Sequence, residues 1–250
     1  MIEVIHVSKS FSGQNVLKDI SVQFPQGQTN LIIGQSGSGK TVLLKLIVGL
    51  FQPDQGEVHF DGENYSNMSF EDKKEIRKKI GMLFQGSALF DSSTVEENVR
   101  FPLDLFTNMT RREKIRRVHF CLDRVQLSHA HKLYPAELSG GMKKRAAIAR
   151  AISMNPQYLF CDEPNSGLDP QTSIVIDELI RELTIEYKMT TLINTHDMNS
   201  VFAIGDKVVF IHDGEKEWEG GKEDILHTNN QILNDFVFAS NMGKKLKSLL

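Results

Sequence analysis

A chain of 250 residues, 40% of them hydrophobic, is long enough for one large α/β domain with an insertion. Its 29 basic and 32 acidic side chains leave a net charge of −3, so no global basic signature marks it for nucleic acid. The longest apolar run, 42–51, is broken by Lys45 and falls far short of the roughly 20 residues that span a bilayer, and Cys121 and Cys161 have neither metal nor disulfide-framework spacing, which suits inert thiols in a reducing cytosol.

The N-terminus alternates apolar and polar residues as a strand does, without the basic and apolar regions of an export signal, so no export is expected. Strands are predicted at 2–7, 17–24 and 57–62, with turns at 11–15 and 25–28; these read as an antiparallel sheet beside a nucleotide-binding core. Between an apolar strand at 30–33 and an apolar helix at 42–50 lies GQSGSGKT, residues 34–41. Glycines and serines there let successive backbone N–H groups converge on one point, and the helix start adds its dipole, so an anion belongs in that turn. The cradle comprises Gly34, Gln35, Ser36, Gly37, Ser38, Gly39, Lys40, Thr41 and Val42, with Lys40 reaching the β- and γ-phosphates and the Thr41 hydroxyl entering a magnesium shell.

A charged helix is predicted at 69–79, followed by a strand at 80–85. From about 86 to 154 β-branched runs give way to helical patterns, which we assign to a helical subdomain. Thr94 is placed to cap VEENVRFPLDLF, and 110–125 forms a basic helix that either approaches lipid headgroups or a partner, or presents a solvated face. The α/β alternation then returns: strand 157–162, helix 170–187, strand 190–196, helix 198–204, two strands within 207–220 and a short helix at 223–227, spacing that implies a parallel sheet with crossover helices. The tail 228–250 carries FVFA at 236–239, expected on the chain's own core with a second subunit as the alternative, and a basic end, GKKLKSLL.

Asp162 and Glu163 close the strand at 157–162, which puts two carboxylates at the edge of a parallel sheet. In phosphoryl transfer one carboxylate holds magnesium and the other orients and deprotonates the attacking water; Asp162 is assigned the first task and Glu163 the second.

On these motifs, together with LSGGM at 138–142 and SGLD at 166–169, the chain resembles the ATP-binding cassette family from its N-terminus to about residue 227. The resemblance implies a P-loop α/β fold with a parallel core sheet, an antiparallel β subdomain and the helical insertion, and an ATPase that works as a head-to-tail homodimer with ATP and Mg²⁺. It implies that Ser139, Gly140, Gly141 and Asp169 meet the nucleotide held by the other copy, and that Phe11 stacks on adenine. Gln85 would touch magnesium and water, and His196 would contact the γ-phosphate. Met142 stands where the family usually has glutamine, so that contact is not carried over. The strings GSALFDSSTVEENVRFPL and YPAELSGGMKKRAAIARA look like the ATPases of Mla-type and Mce-associated lipid transporters. That likeness implies phospholipid movement between membranes, a separate integral-membrane permease seated around 85–91, an MCE-domain lipid-binding protein, and a place on the cytoplasmic face of the inner membrane. The alternative is a soluble family member acting in iron–sulfur assembly or another process without transport.

Overall fold

The structure, a computed structural model, describes residues 1–239; the basic end GKKLKSLL lies outside them. In chain order the first elements are β1 (Ile2–Phe11), β2 (Gln14–Phe24), β3 (Thr29–Ile33), α1 (Lys40–Ile47), β4 (Gln55–Phe60), β5 (Glu63–Asn64), α2 (Phe70–Lys78) and β6 (Ile80–Leu83). There follow α3 (Val95–Phe106), α4 (Arg111–Arg124), α5 (Gly140–Ile152), β7 (Tyr158–Asp162), α6 (Pro170–Tyr187), β8 (Thr190–Thr195), α7 (Met198–Ile204), β9 (Lys207–His212), β10 (Glu215–Gly220), α8 (Asp224–His227) and α9 (Gln231–Val237). By internal packing the chain forms two compact units: Met1–Ser69 with the chain from Leu192 onward, and Phe70–Thr191.

In the first unit β2-β1-β4-β5 make an antiparallel sheet, with Ile2 opposite both Phe24 and Phe60 and all three fully buried. The turn expected at 11–15 narrows to Ser12 and Gly13, whose φ values of 49° and 80° give the left-handed pair that a tight hairpin favours, so Phe11 ends a strand. The second sheet of this unit runs β10-β9-β3-β8. β3 and β8 are buried at every residue, as strands covered on both faces must be, and β3 pairs in parallel with β9 from Asn30–Lys207 to Ile33–Phe210. α9, legible in the sequence only as an apolar patch, is capped by Asn230; the Phe236 ring stacks on Phe210 at 5.3 Å and Phe238 is buried, so FVFA packs on its own unit.

In the second unit β6 and β7 pair in parallel, from Ile80–Tyr158 to Leu83–Cys161, and α5 lies against β6, α3 and α4. Thr94 and Thr110 each close a capping box, with Glu97 and Glu113, so α3 and α4 start where the sequence predicts. α6 begins at Pro170 behind the Asp169 cap and ends on Lys188 at a left-handed φ of 51°. Among the described residues no helix is long and apolar enough to cross a membrane.

Candidate nucleotide site and its surroundings

β3 delivers the chain to Gly34, whose φ of 149° and close approach to the Ile211 carbonyl leave no room for a Cβ. Gly39 is held likewise: at φ 105° its Cβ would stand 2.7 Å from Leu17 Cδ2. Both glycines are therefore required by backbone path, one at each end of the loop. α1 starts directly after Gly39 with no side-chain cap, and a helix start of this kind favours an anion. Lys40 is 7% exposed, and its Nζ donates to the Gly34 and Gln35 carbonyls, each at 2.8 Å. Ser38 Oγ is buried with no hydrogen-bond partner. A buried ammonium, an orphaned hydroxyl and an uncapped helix start fit a phosphate group. Phe11 is 39% exposed at the end of β1, edge-on to Phe51 at 5.3 Å and under the Lys9 ammonium, which leaves ring surface accessible. His196 follows the last residue of β8 and is exposed, and Thr41 and Val42, in the first turn of α1, are half-buried.

The remaining predicted residues belong to the second unit. Asp162 ends the fully buried β7 at 7% exposure, and Glu163 turns the chain at a left-handed φ of 50°. Ser139 caps α5, accepting from the Met142 N–H at 3.2 Å, so the backbone of Met142 serves the signature loop even though its side chain differs from the usual glutamine. A Cβ on Gly141 would sit 2.6 Å from Thr172 Cγ2, which explains the glycine: the start of α5 packs against the start of α6. Asp169 accepts from the Thr172 hydroxyl and N–H, and these two bonds hold its carboxyl below the usual range. Gln85, Ser139, Gly140 and Asp169 are all exposed, as residues that meet another molecule need to be.

Three polar side chains that carried no sequence signal organise this unit, Lys144 and Asn98 buried and Arg150 half-buried. Lys144 on α5 is 4% exposed and donates to the Gln85 carbonyl at 2.5 Å and the Glu163 carbonyl at 3.3 Å; burial pulls its ammonium below the ordinary lysine range, while nearby acidic groups, Glu163 and Asp162 among them, oppose the shift. Arg150, two turns further on, donates to the Ser87 and Ala88 carbonyls at 2.8 and 2.7 Å, and both of those residues have positive φ. Asn98, fully buried, accepts from the Phe90 N–H at 2.8 Å and donates to the carbonyls of Phe90, Ser93 and Thr94. Arg150 also lines a cleft of about 480 Å³, together with Phe84, Ala88, Phe90, Phe101, Phe106 and Met154. The cysteines are inert: burial pushes the Cys121 thiol up to about 11 and pushes that of Cys161 up as well.

Comparison with known proteins agrees with this geometry. The sequence profile described as ABC transporter matches residues 17–166. The probable ribonucleotide transport ATP-binding protein mkl of Mycobacterium leprae is 34% identical over 97% of this chain and 70% of its own length. The methionine import ATP-binding protein MetN of Aliivibrio fischeri is 40% identical, over 96% and 71%. The intermembrane phospholipid transport system ATP-binding protein MlaF of Haemophilus influenzae is 36% identical, over 97% and 92%. Among solved structures, the dimeric ABC transporter cassette MJ0796 superposes with a TM-score of 0.81 at 33% identity, covering 89% of this chain and 99% of the other. The same cassette in a post-hydrolysis dimer with ADP and phosphate superposes equally well, at 32% identity and with the same coverage.

Proposed function

Starting from the premise that this chain belongs to the ABC transporter family and is its ATPase subunit, we propose that it drives phospholipid movement between membranes of the cell envelope. One observation carries the choice of substrate: the intermembrane phospholipid transport ATPase MlaF of Haemophilus influenzae is 36% identical over 97% of this chain. A separate permease and an MCE-domain lipid-binding protein complete the assembly in this reading, on the cytoplasmic face of the inner membrane.

Hydrolysis follows from the residues. Lys40 leaves the Gly34 and Gln35 carbonyls to bind the β- and γ-phosphates, and the orphaned Ser38 hydroxyl gains an acceptor. Phe11 offers adenine a π-face. Thr41, Gln85 and Asp162 would hold Mg²⁺, which when bound neutralises charge on the phosphate oxygens. Glu163 takes the proton of the attacking water, and His196 donates to the γ-phosphate. Ser139, Gly140, Gly141 and Asp169 of a second copy close over the nucleotide, so each site is shared by two chains. The cleft lined by Phe84, Phe90 and Phe101 is the proposed seat of an apolar cytoplasmic segment of the permease.

The test is affinity purification of the tagged chain from detergent-solubilised native membranes, with mass spectrometry and lipid analysis of what accompanies it. A multi-spanning permease with an MCE-domain protein and bound phospholipid is the expected result. A permease for small polar solutes would replace the substrate and keep the transporter; recovery of soluble proteins alone would overturn the transport reading.

A further inference from the structure

We propose that Lys144 is a positioning residue for ATP hydrolysis, pinning the backbone of Glu163 and of Gln85 to the helix that begins at Ser139. The proposal rests on the reading of Glu163 as the base that deprotonates water. Glu163 has a φ of 50°, a region that a residue with a Cβ occupies only when its surroundings hold it there. Its carboxylate direction is set by that backbone turn, so a relaxation to ordinary φ would swing the base away from its target. Two donors oppose that relaxation at the Glu163 carbonyl: the Ser166 N–H at 3.2 Å, which closes the turn locally, and Lys144 Nζ at 3.3 Å, which ties it to another element.

Burying an ammonium is costly unless hydrogen bonds compensate, and an apolar side chain of similar length would fill the same space without that cost. The charge at position 144 is therefore explained by what it binds, two main-chain oxygens that flank the proposed chemistry in the sequence, one after β6 and one after β7. Lys144 lies five residues after Ser139 on the same rigid helix, so a displacement of the exposed Ser139 end is felt at both carbonyls. Arg150 repeats the device further along α5, gripping the Ser87 and Ala88 carbonyls in another left-handed stretch.

The experiment is steady-state ATP hydrolysis by the purified full chain carrying Lys144→Met, Lys144→Arg or Glu163→Gln, with thermal melts alongside. A misdirected base loses turnover and not affinity, so Lys144→Met should lower kcat by about 100-fold with the KM for ATP within about twofold of the parent, measured well below its melting temperature. Lys144→Arg, whose guanidinium can reach both carbonyls, should recover kcat to within about tenfold. If Lys144→Met fails to fold, Lys144→Gln serves instead: it is polar but too short to reach, and the same loss of kcat is expected. Parental kcat in the variant lacking the long donor, a change confined to KM, or a loss that arginine does not repair overturns the proposal while a collapse in Glu163→Gln leaves the reading of the base standing. Undiminished turnover in Glu163→Gln instead removes that reading itself.

Discussion

Replacing Asn98 with leucine keeps the branching and heavy-atom count of the side chain and removes every hydrogen bond that side chain makes. Asn98 is fully buried, and its amide meets one N–H and three carbonyls of the segment 90–94. Two of those carbonyls keep another donor: Phe90 O accepts from the Ser93 N–H at 3.1 Å, and Thr94 O from the Asn98 N–H at 2.9 Å. The Phe90 N–H and the Ser93 carbonyl are the groups set to be stranded. At about 1–3 kcal/mol for each unsatisfied group, and no cavity to add, the variant should lose about 3 kcal/mol. In a chain of this size that corresponds to a fall in melting temperature on the order of 6–12 °C. The loss has a functional side, because Phe90 packs on Phe101 at 4.7 Å and under the Arg150 guanidinium to form one wall of the apolar cleft. Hydrogen exchange at the Phe90 amide should accelerate before global unfolding, and co-purification with the permease should weaken while ATP binding holds. A melt within about 2 °C of the parent with the Phe90 amide still protected would refute the assignment of Asn98 as the post that holds this wall.

Phe90→Glu places a charge on the same wall without breaking its backbone bonds, and should abolish recovery of the permease while the chain still binds ATP; unchanged recovery moves the docking seat elsewhere. Ser139→Ala removes the cap of α5, worth about 1 kcal/mol, and should abolish hydrolysis with ATP binding by the isolated monomer retained, since the proposed contact is made to the other copy. Loss of monomer binding would contradict that assignment. Gly141→Ala drives a Cβ to 2.6 Å from Thr172 Cγ2 and should cost about 1–3 kcal/mol in a chemical denaturation experiment. Adding Thr172→Ser removes the opposing methyl, keeps the hydroxyl that bonds Asp169, and should return most of the loss; failure of that rescue would place the need for glycine in the backbone and not in the α5–α6 contact.

The features that were legible in the sequence share a local origin. Thr94 announces a helix start because a capping side chain bonds to N–H groups two or three residues away, and its cap stands where the residues place it; Thr110 and Asp169 cap α4 and α6 in the same way. The loop at 34–41 is legible for the same reason: the positive φ of its glycines is a local backbone demand, and β3, covered on both faces, runs into the loop through the apolar residues Leu31, Ile32 and Ile33. Lys144, Arg150 and Asn98 are different. A lysine and an arginine in MKKRAAIARA look like the solvated face of a helix, and only the fold brings carbonyls 59 and 62 residues away to their tips. Polar residues whose partners are main-chain oxygens leave no complementary side chain to find, so pattern cannot reveal them. α9 was missed for a related reason, since its apolar residues answer to Phe210 on β9 and its seven residues are too few to display a helical period. The consequence reaches the chemistry: motif reading assigns the groups that touch nucleotide, while the residues that hold those groups at a working angle become visible only once long-range contacts are known. Lys144 is where the two sets meet, for it lies two residues past the signature and binds the carbonyl of the proposed base.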